Sequence, residues 1–171
     1  MLRDELKRRA DRILDRWVED CLAAYPAEAS AAWTRERDPF ANPVGNSLRA
    51  GTKVLFEAVL DGADAEATKR GLDGIVRIRA VQQMSPSAAL GFVFRLKHVI
   101  RTELGEALAT PALGEELTEL EARIDEAALV AFDLFVQYRE RVSTLRINEL
   151  KRNIPWVVTR TNRAVVEREP G

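Results

Sequence analysis

The chain has one cysteine, Cys21, and one histidine, His98, among 171 residues. A lone cysteine excludes an internal disulfide framework and any Cys-rich zinc or iron–sulfur site. A lone histidine excludes a multi-histidine metal centre built within one chain. Neither charge sign dominates: 26 Lys and Arg stand against 27 Asp and Glu. A general nucleic-acid binder normally carries a strongly basic face to displace counterions, so nucleic acid is not an expected partner. Apolar runs are short. No stretch approaches the ~18 uncharged residues that a membrane span needs, so membrane insertion is not expected. The first residues, Met1-Leu2-Arg3-Asp4-Glu5-Leu6-Lys7, are charged from position three and do not read as a signal peptide. The expected location is cytoplasmic. Gly-rich phosphate loops, HExxH and nucleophile elbows are all missing, so the chain is not expected to be an enzyme. Catalytic, cofactor-binding and metal-ligating residues are therefore none.

What is present is helical periodicity. With 46% hydrophobic and 31% charged residues, the chain can bury a core. Leu6, Ala10, Ile13, Leu14, Trp17, Val18, Cys21, Leu22 and Tyr25 recur at steps of three and four, predicting a helix over 2–25 that ends at Pro26. Residues 27–47 hold Pro39, Pro43 and Gly45 and read as an ordered, turn-rich connection, with Phe40 and Val44 as plugs pinning it to the core. Its aromatics and prolines make it a candidate binding loop as well as a simple end-cap for the bundle. Further helices are predicted over 46–61, 64–82 and 85–105. Gly71 and Gly74 weaken the second of these, and Ser85-Pro86 starts the third. Thr110-Pro111 repeats that start signal. The residues 115–154 then run without Gly or Pro, and Leu117, Leu120, Ile124, Ala127, Ala131, Leu134, Tyr138 and Leu145 form a heptad-like seam.

Forty helical residues reach ~60 Å, whereas a compact domain of this size is only ~40 Å across. A continuous helix must project or be covered by another chain; a kink or a two-helix break is the alternative. The expected fold is a compact all-α bundle of five to six helices with a long C-terminal helix. It forms one domain over 1–153, followed by a polar tail over 154–171.

Charge along the last helix is polarised. Seven acids stand against Arg123 between Pro111 and Asp133, and seven bases against Glu140 and Glu149 between Arg139 and Arg163. Acid first and base last suits the helix dipole. It would also let two copies, or a partner, pair acidic against basic segments. The expected interface is the basic end: Tyr138, Arg141, Leu145, Arg146, Lys151 and Arg152.

Asp133 interrupts an apolar run, as do Arg77 and Arg79, which predicts an internal ion pair between the third and last predicted helices. The same three residues are the candidate lining for an anionic or apolar small ligand. Cys21 reads as a small buried hydrophobe. A metal- or haem-binding role is retained only because helical bundles host such sites.

Several segments together resemble the RsbT co-antagonist protein RsbRD N-terminal domain family. They are Asp38-Pro39-Phe40-Ala41-Asn42-Pro43-Val44-Gly45, then Arg77-Ile78-Arg79-Ala80-Val81-Gln82 with Ser85-Pro86-Ser87, then Phe92-Val93-Phe94 with Leu96-Lys97. Leu120-Glu121-Ala122-Arg123-Ile124-Asp125, Ala131-Phe132-Asp133, Arg139-Glu140, Arg146 and Asn148-Glu149 complete the set. The resemblance covers residues 5–152. It implies a non-enzymatic sensor or adaptor module of stressosome type, all-helical and in one form globin-like, which dimerises and works by protein–protein contact. Longer relatives carry a STAS output domain after the last helix. The end of this chain at Gly171 leads to the expectation of a standalone copy, so phosphorylation and assembly into a stressosome core do not carry over with the resemblance. A small-ligand sensor is the second reading.

Overall fold

The computed structural model describes residues 1–166 apart from Arg37, Pro39, Ala63 and Gln83, and for residues 155–166 the helical backbone alone. Every regular element described is helical: α1 (Leu2–Arg8), α2 (Ala10–Leu22), α3 (Ala27–Arg35), α4 (Pro43–Asp61), α5 (Ala65–Val81), α6 (Pro86–Leu104), a 3₁₀ turn (Gly105–Ala109) and α7 (Pro111–Val166). The all-α expectation holds, with seven α-helices among the described residues instead of five or six. Both extra helices have local causes.

The first predicted helix divides at Arg9, whose amide bonds Leu6 O in a tightened turn. On one side α1 is tied to α7, where Leu2 N donates to Glu116 Oε2 at 2.8 Å. On the other, α2 lies against α6, with Trp17 Nε1 donating to Phe92 O at 2.7 Å. The turn at Arg9 lies between these two anchors. The second extra helix, α3, occupies the first half of the segment predicted to be turn-rich. Its Ala27-Glu28-Ala29-Ser30-Ala31-Ala32 run favours helix strongly, and Pro26 precedes it without losing a needed donor.

Asn42 joins α3 to α4. It is buried, its Nδ2 donates to Trp33 O at 2.7 Å and to Glu36 O at 2.9 Å, and its Oδ1 caps α4 through Gly45 N at 2.8 Å. A Cβ on Gly45 would fall 2.3 Å from Asn42 Nδ2, which explains why glycine stands there. Val44 packs against the core as expected. Phe40 does not: it is 96% exposed, because the turn closed by Asp38 Oδ1 and Phe40 N carries its ring outward. Pro39 lies outside the described residues.

Gly71, read from sequence as a weak point in α5, is a contact. A Cβ there would meet Leu55 N at 2.7 Å, and one on Gly51 would meet Gly71 O at 2.5 Å, so α4 and α5 cross almost backbone to backbone. Ser85 caps α6 and Pro86 opens it, as the sequence signals require. α7 begins at Pro111 and lays Leu117, Leu120, Ile124, Ala127, Ala131 and Leu134 into the core. It does not stop near 154: the backbone stays helical through Pro155 to Val166, so most of the predicted tail belongs to α7. Residues 167–171 lie outside the description.

Gly71→Ala is expected to destabilise the domain by about 1–3 kcal/mol through backbone collision. Asn42→Ala should cost about 1–3 kcal/mol, since it strips a buried cap and leaves two carbonyls without that donor. Urea unfolding followed by circular dichroism measures both.

Candidate interaction surface

At ~100° per residue, α7 presents two apolar faces. The inner face is the seam read from sequence, and the bundle covers it as far as Tyr138. There Tyr138 Oη donates to Asp73 Oδ1, and Arg139 Nη1 donates to Ala80 O at 3.2 Å. Burial, then the Asp73 carboxylate, push the Tyr138 phenol above its ordinary pKa. Beyond Arg139 the helix leaves the bundle: from residue 140 to 154 only Val142 is even half-buried. From Arg139 to Val166 the rod projects ~40 Å.

The outer face lies outside the seam that the sequence period defines. Leu129, Phe132, Val136, Ile147, Leu150 and Ile154 are all exposed, Leu129 at 69% and Leu150 at 64%. They fall within about 60° of one another around the helix axis. The stripe therefore begins on the globule, is interrupted by Glu140 and Ser143 where the helix leaves the bundle, and resumes on the same face of the projecting rod. Beside its globular half, Pro86, Phe132, Phe135, Val136 and Arg139 line a groove of about 590 Å³ between the start of α6 and α7. Phe94 on α6 is also half-exposed. Exposed apolar patches aligned in this way mark an interaction site more often than accidental composition.

The residues predicted as interface divide between the faces. Tyr138, Arg141, Leu145 and Arg152 continue the inner face, and the Arg141 guanidinium lies 5.5 Å from the Tyr138 ring centroid. Arg146 and Lys151 flank the outer stripe. Flanking charge is ordered beside the stripe as far as Arg146, with Glu126, Asp133 and Glu140 along one edge and Arg139 and Arg146 along the other; Lys151 lies farther out on the first edge. Much of the remaining acidity of α7 is already paired within the chain. Lys97 meets Asp125 at 2.6 Å, Arg101 meets Glu121 at 2.6 Å, and the N-terminal amine meets Glu116 at 3.5 Å.

The structure does not bring Asp133 to Arg77 or Arg79. Asp133 and Arg77 are exposed, because residues adjacent in a helical sequence point ~100° apart and apolar neighbours do not bury the residue between them. Arg79 alone is buried, at 1% exposure. Its Nη1 donates to Ala89 O at 3.0 Å and its Nη2 to Cys21 O at 3.1 Å. Its guanidinium carbon lies 4.9 Å from the Phe92 ring centroid and 5.5 Å from that of Tyr25. Cys21 is buried beside it, and desolvation pushes its thiol pKa up to about 12. His98 is exposed. Among the described residues no group of three or more His, Cys, Asp and Glu gathers as metal ligands would, and no helix is long and apolar enough to cross a membrane.

Residues 11–150 match the family model of the RsbT co-antagonist protein rsbRD N-terminal domain. The chain belongs to that family. The RsbRD N-terminal domains are regulatory, of stressosome type, and the match takes in the whole bundle from α2 onward together with the first part of the projecting rod. No curated protein and no solved structure matches the chain.

Asp133→Asn is expected to change unfolding free energy by less than about 0.5 kcal/mol, as for an isolated surface site; urea titration measures it. Cys21 should resist a thiol-specific disulfide reagent at pH 8 in the native protein and react fully in urea. Burial keeps its thiol protonated in the folded state at that pH.

Proposed function

We propose that this RsbRD N-terminal domain is a non-enzymatic regulatory module that works by protein–protein contact, with a second copy of the chain seated on the outer stripe of α7. The observation that carries this reading is that two exposed apolar patches, separated by Glu140 and Ser143, lie on the same face of α7. Leu129, Phe132 and Val136 on the globule and Ile147, Leu150 and Ile154 on the rod share one face. A two-fold partner covers both halves with a single straight interface.

Edge charge supports a parallel pair. Across a parallel two-fold, each helix sets one edge against the opposite edge of its neighbour. Asp133 and Glu140 then face the other copy's Arg139 and Arg146. An antiparallel pair would set Arg139 against Arg146. Exposed ion pairs contribute only ~0–1 kcal/mol each, so they select orientation while apolar burial supplies the affinity. The parallel arrangement sends both rods out together. A shift in the bundle at Tyr138 and Arg139 would pass into them as a change between discrete packings.

Sedimentation equilibrium is expected to find a dimer. Phe132→Glu with Leu150→Glu should yield a helical monomer, whereas Leu145→Glu on the opposite face should stay dimeric. Glu140→Lys should weaken the dimer a few-fold, and adding Arg146→Glu should restore it. A wild-type monomer at every concentration reached, or dissociation by Leu145→Glu alone, would overturn the reading.

A further inference from the structure

Four polar side chains are buried among the described residues: Asn42, Thr52, Thr68 and Arg79. Asn42, Thr52 and Arg79 donate to backbone carbonyls. Thr68, at 9% exposure, makes no side-chain hydrogen bond within the described residues. A helical threonine can donate its hydroxyl to the carbonyl four residues back. Thr34, Thr52, Thr102 and Thr118 all do so, to Ser30, Leu48, His98 and Gly114. At Thr68 only the amide bonds Asp64 O, at 3.3 Å, and the hydroxyl turns elsewhere. Its oxygen is not sealed off, because Arg79 Nε is the one fully enclosed side-chain nitrogen or oxygen without a partner among the described residues. Thr68 Oγ1 therefore keeps accessible surface, and Thr68 lines a cavity of about 250 Å³ between α4, α5 and α7.

Arg123 and Glu126 of α7 share that lining, and Val59 and Val130 supply apolar wall. The Arg123 guanidinium is half-buried and weakly held. Its Nη1 reaches Val59 O and Leu60 O at 3.4 and 3.5 Å, beyond the usual range of such bonds. Glu119 and Glu126 stand one turn away on either side, at spacings that commonly give ion pairs. Arg123 pairs with neither within the described residues, and Glu126 has no basic partner there. The cavity thus holds a cation and an anion apart, with a free hydroxyl between apolar walls and no net charge. It opens past Ala65 and Glu126, both exposed, so a ligand enters without unfolding the bundle. Its volume equals about eight waters.

We infer that this cavity binds a small aliphatic α-amino acid. The carboxylate is taken by Arg123 and the Thr68 hydroxyl, the ammonium by Glu126, and the side chain lies against Val59 and Val130. A planar guanidinium fork suits a carboxylate. A simple anion would leave Glu126 facing a like charge, and a simple cation would meet Arg123. An uncharged apolar molecule would leave the hydroxyl and the guanidinium unanswered. A zwitterion with a short apolar branch answers every group, and valine is of the right size. The inference stands apart from self-association, since neither Thr68 nor Arg123 belongs to the outer stripe.

The test is calorimetric titration of the full chain with L-valine, beside isovalerate, which lacks the ammonium, and isobutylamine, which lacks the carboxylate. Ionic strength is matched with sodium chloride, and thermal midpoints are recorded on the same samples. Valine is expected to saturate, to raise the midpoint and to bind about tenfold tighter than either fragment. Thr68→Val removes a hydroxyl that bonds nothing in the chain, so it should melt as the wild type in chloride alone and bind valine several-fold more weakly. Glu126→Gln, at an exposed position, should weaken valine several-fold and leave isovalerate no weaker. No saturable response to valine would overturn the inference and leave the cavity to water. Binding of a fragment as tightly as valine, or undiminished valine affinity in Glu126→Gln, would overturn it as well. Sedimentation of the same samples reports self-association independently.

Discussion

A 56-residue helix in a 171-residue chain cannot be covered along its length by its own bundle. The globule is only ~40 Å across and the helix runs ~84 Å. Everything else in the structure divides around that mismatch. Up to Tyr138 the inner face of α7 is core, and its loss would open the bundle. Beyond Arg139 the same face leaves the bundle, with Val142 half-buried, Leu145 exposed and Glu149 and Arg152 following. The outer face is polar at Glu140 and Ser143 and apolar again at Ile147, Leu150 and Ile154, past the point where the bundle ends. A helix whose solvent-facing stripe outlasts its core-facing one is shaped for another surface.

The bundle's task is then to hold the root of α7 at a fixed angle. Two close approaches do this. The Gly51–Gly71 crossing lets α4 and α5 touch with almost no side chain between them, so α5 reaches α7 with Asp73 and Ala80 placed to receive Tyr138 and Arg139. Asn42 fixes where α4 begins by satisfying carbonyls at the end of α3 and an amide at the start of α4. Both devices use small or polar residues where a core would ordinarily use bulk. Both are rigid for that reason, since a backbone contact or a three-bond cap has no rotamer freedom through which to relax.

Much of this was legible in the chain and some was not, for reasons that are physical. Ser85-Pro86 and Thr110-Pro111 act within one turn, so α6 and α7 start where their sequences say. The inner seam follows the period of three and four cleanly and was read as one long helix. The outer stripe escaped notice because Asp133 and Glu140 stand beside it in sequence and break its apparent run, although they lie at its edge in space. Asp133 was misread for the same reason: apolar neighbours at adjacent positions say nothing about burial in a helix, whereas those three and four away do. The 27–35 segment was read through its later prolines, when the alanine run ahead of them decides the local conformation. Arg79 and Arg77 look alike in the sequence, as arginines among apolar neighbours, and only Arg79 is buried. Its partners, carbonyls on α2 and α6, are backbone groups that no side-chain pattern reveals.

The start of α6 is where these threads meet. Pro86 lines the groove beside Phe132 and Val136, while the next two residues, Ser87 and Ala88, line the cavity at Arg79. One helical turn therefore has two surfaces, one toward the outer stripe and one toward the buried guanidinium. That turn is held by the Ser85 cap, whose Oγ accepts from Ala88 N at 3.3 Å, by Arg79 on the Ala89 carbonyl, and by burial of Ala89 and Leu90 in the core. In a packed all-helical core neighbouring helices interlock at near-crystalline density, so this turn holds one position between its two surfaces.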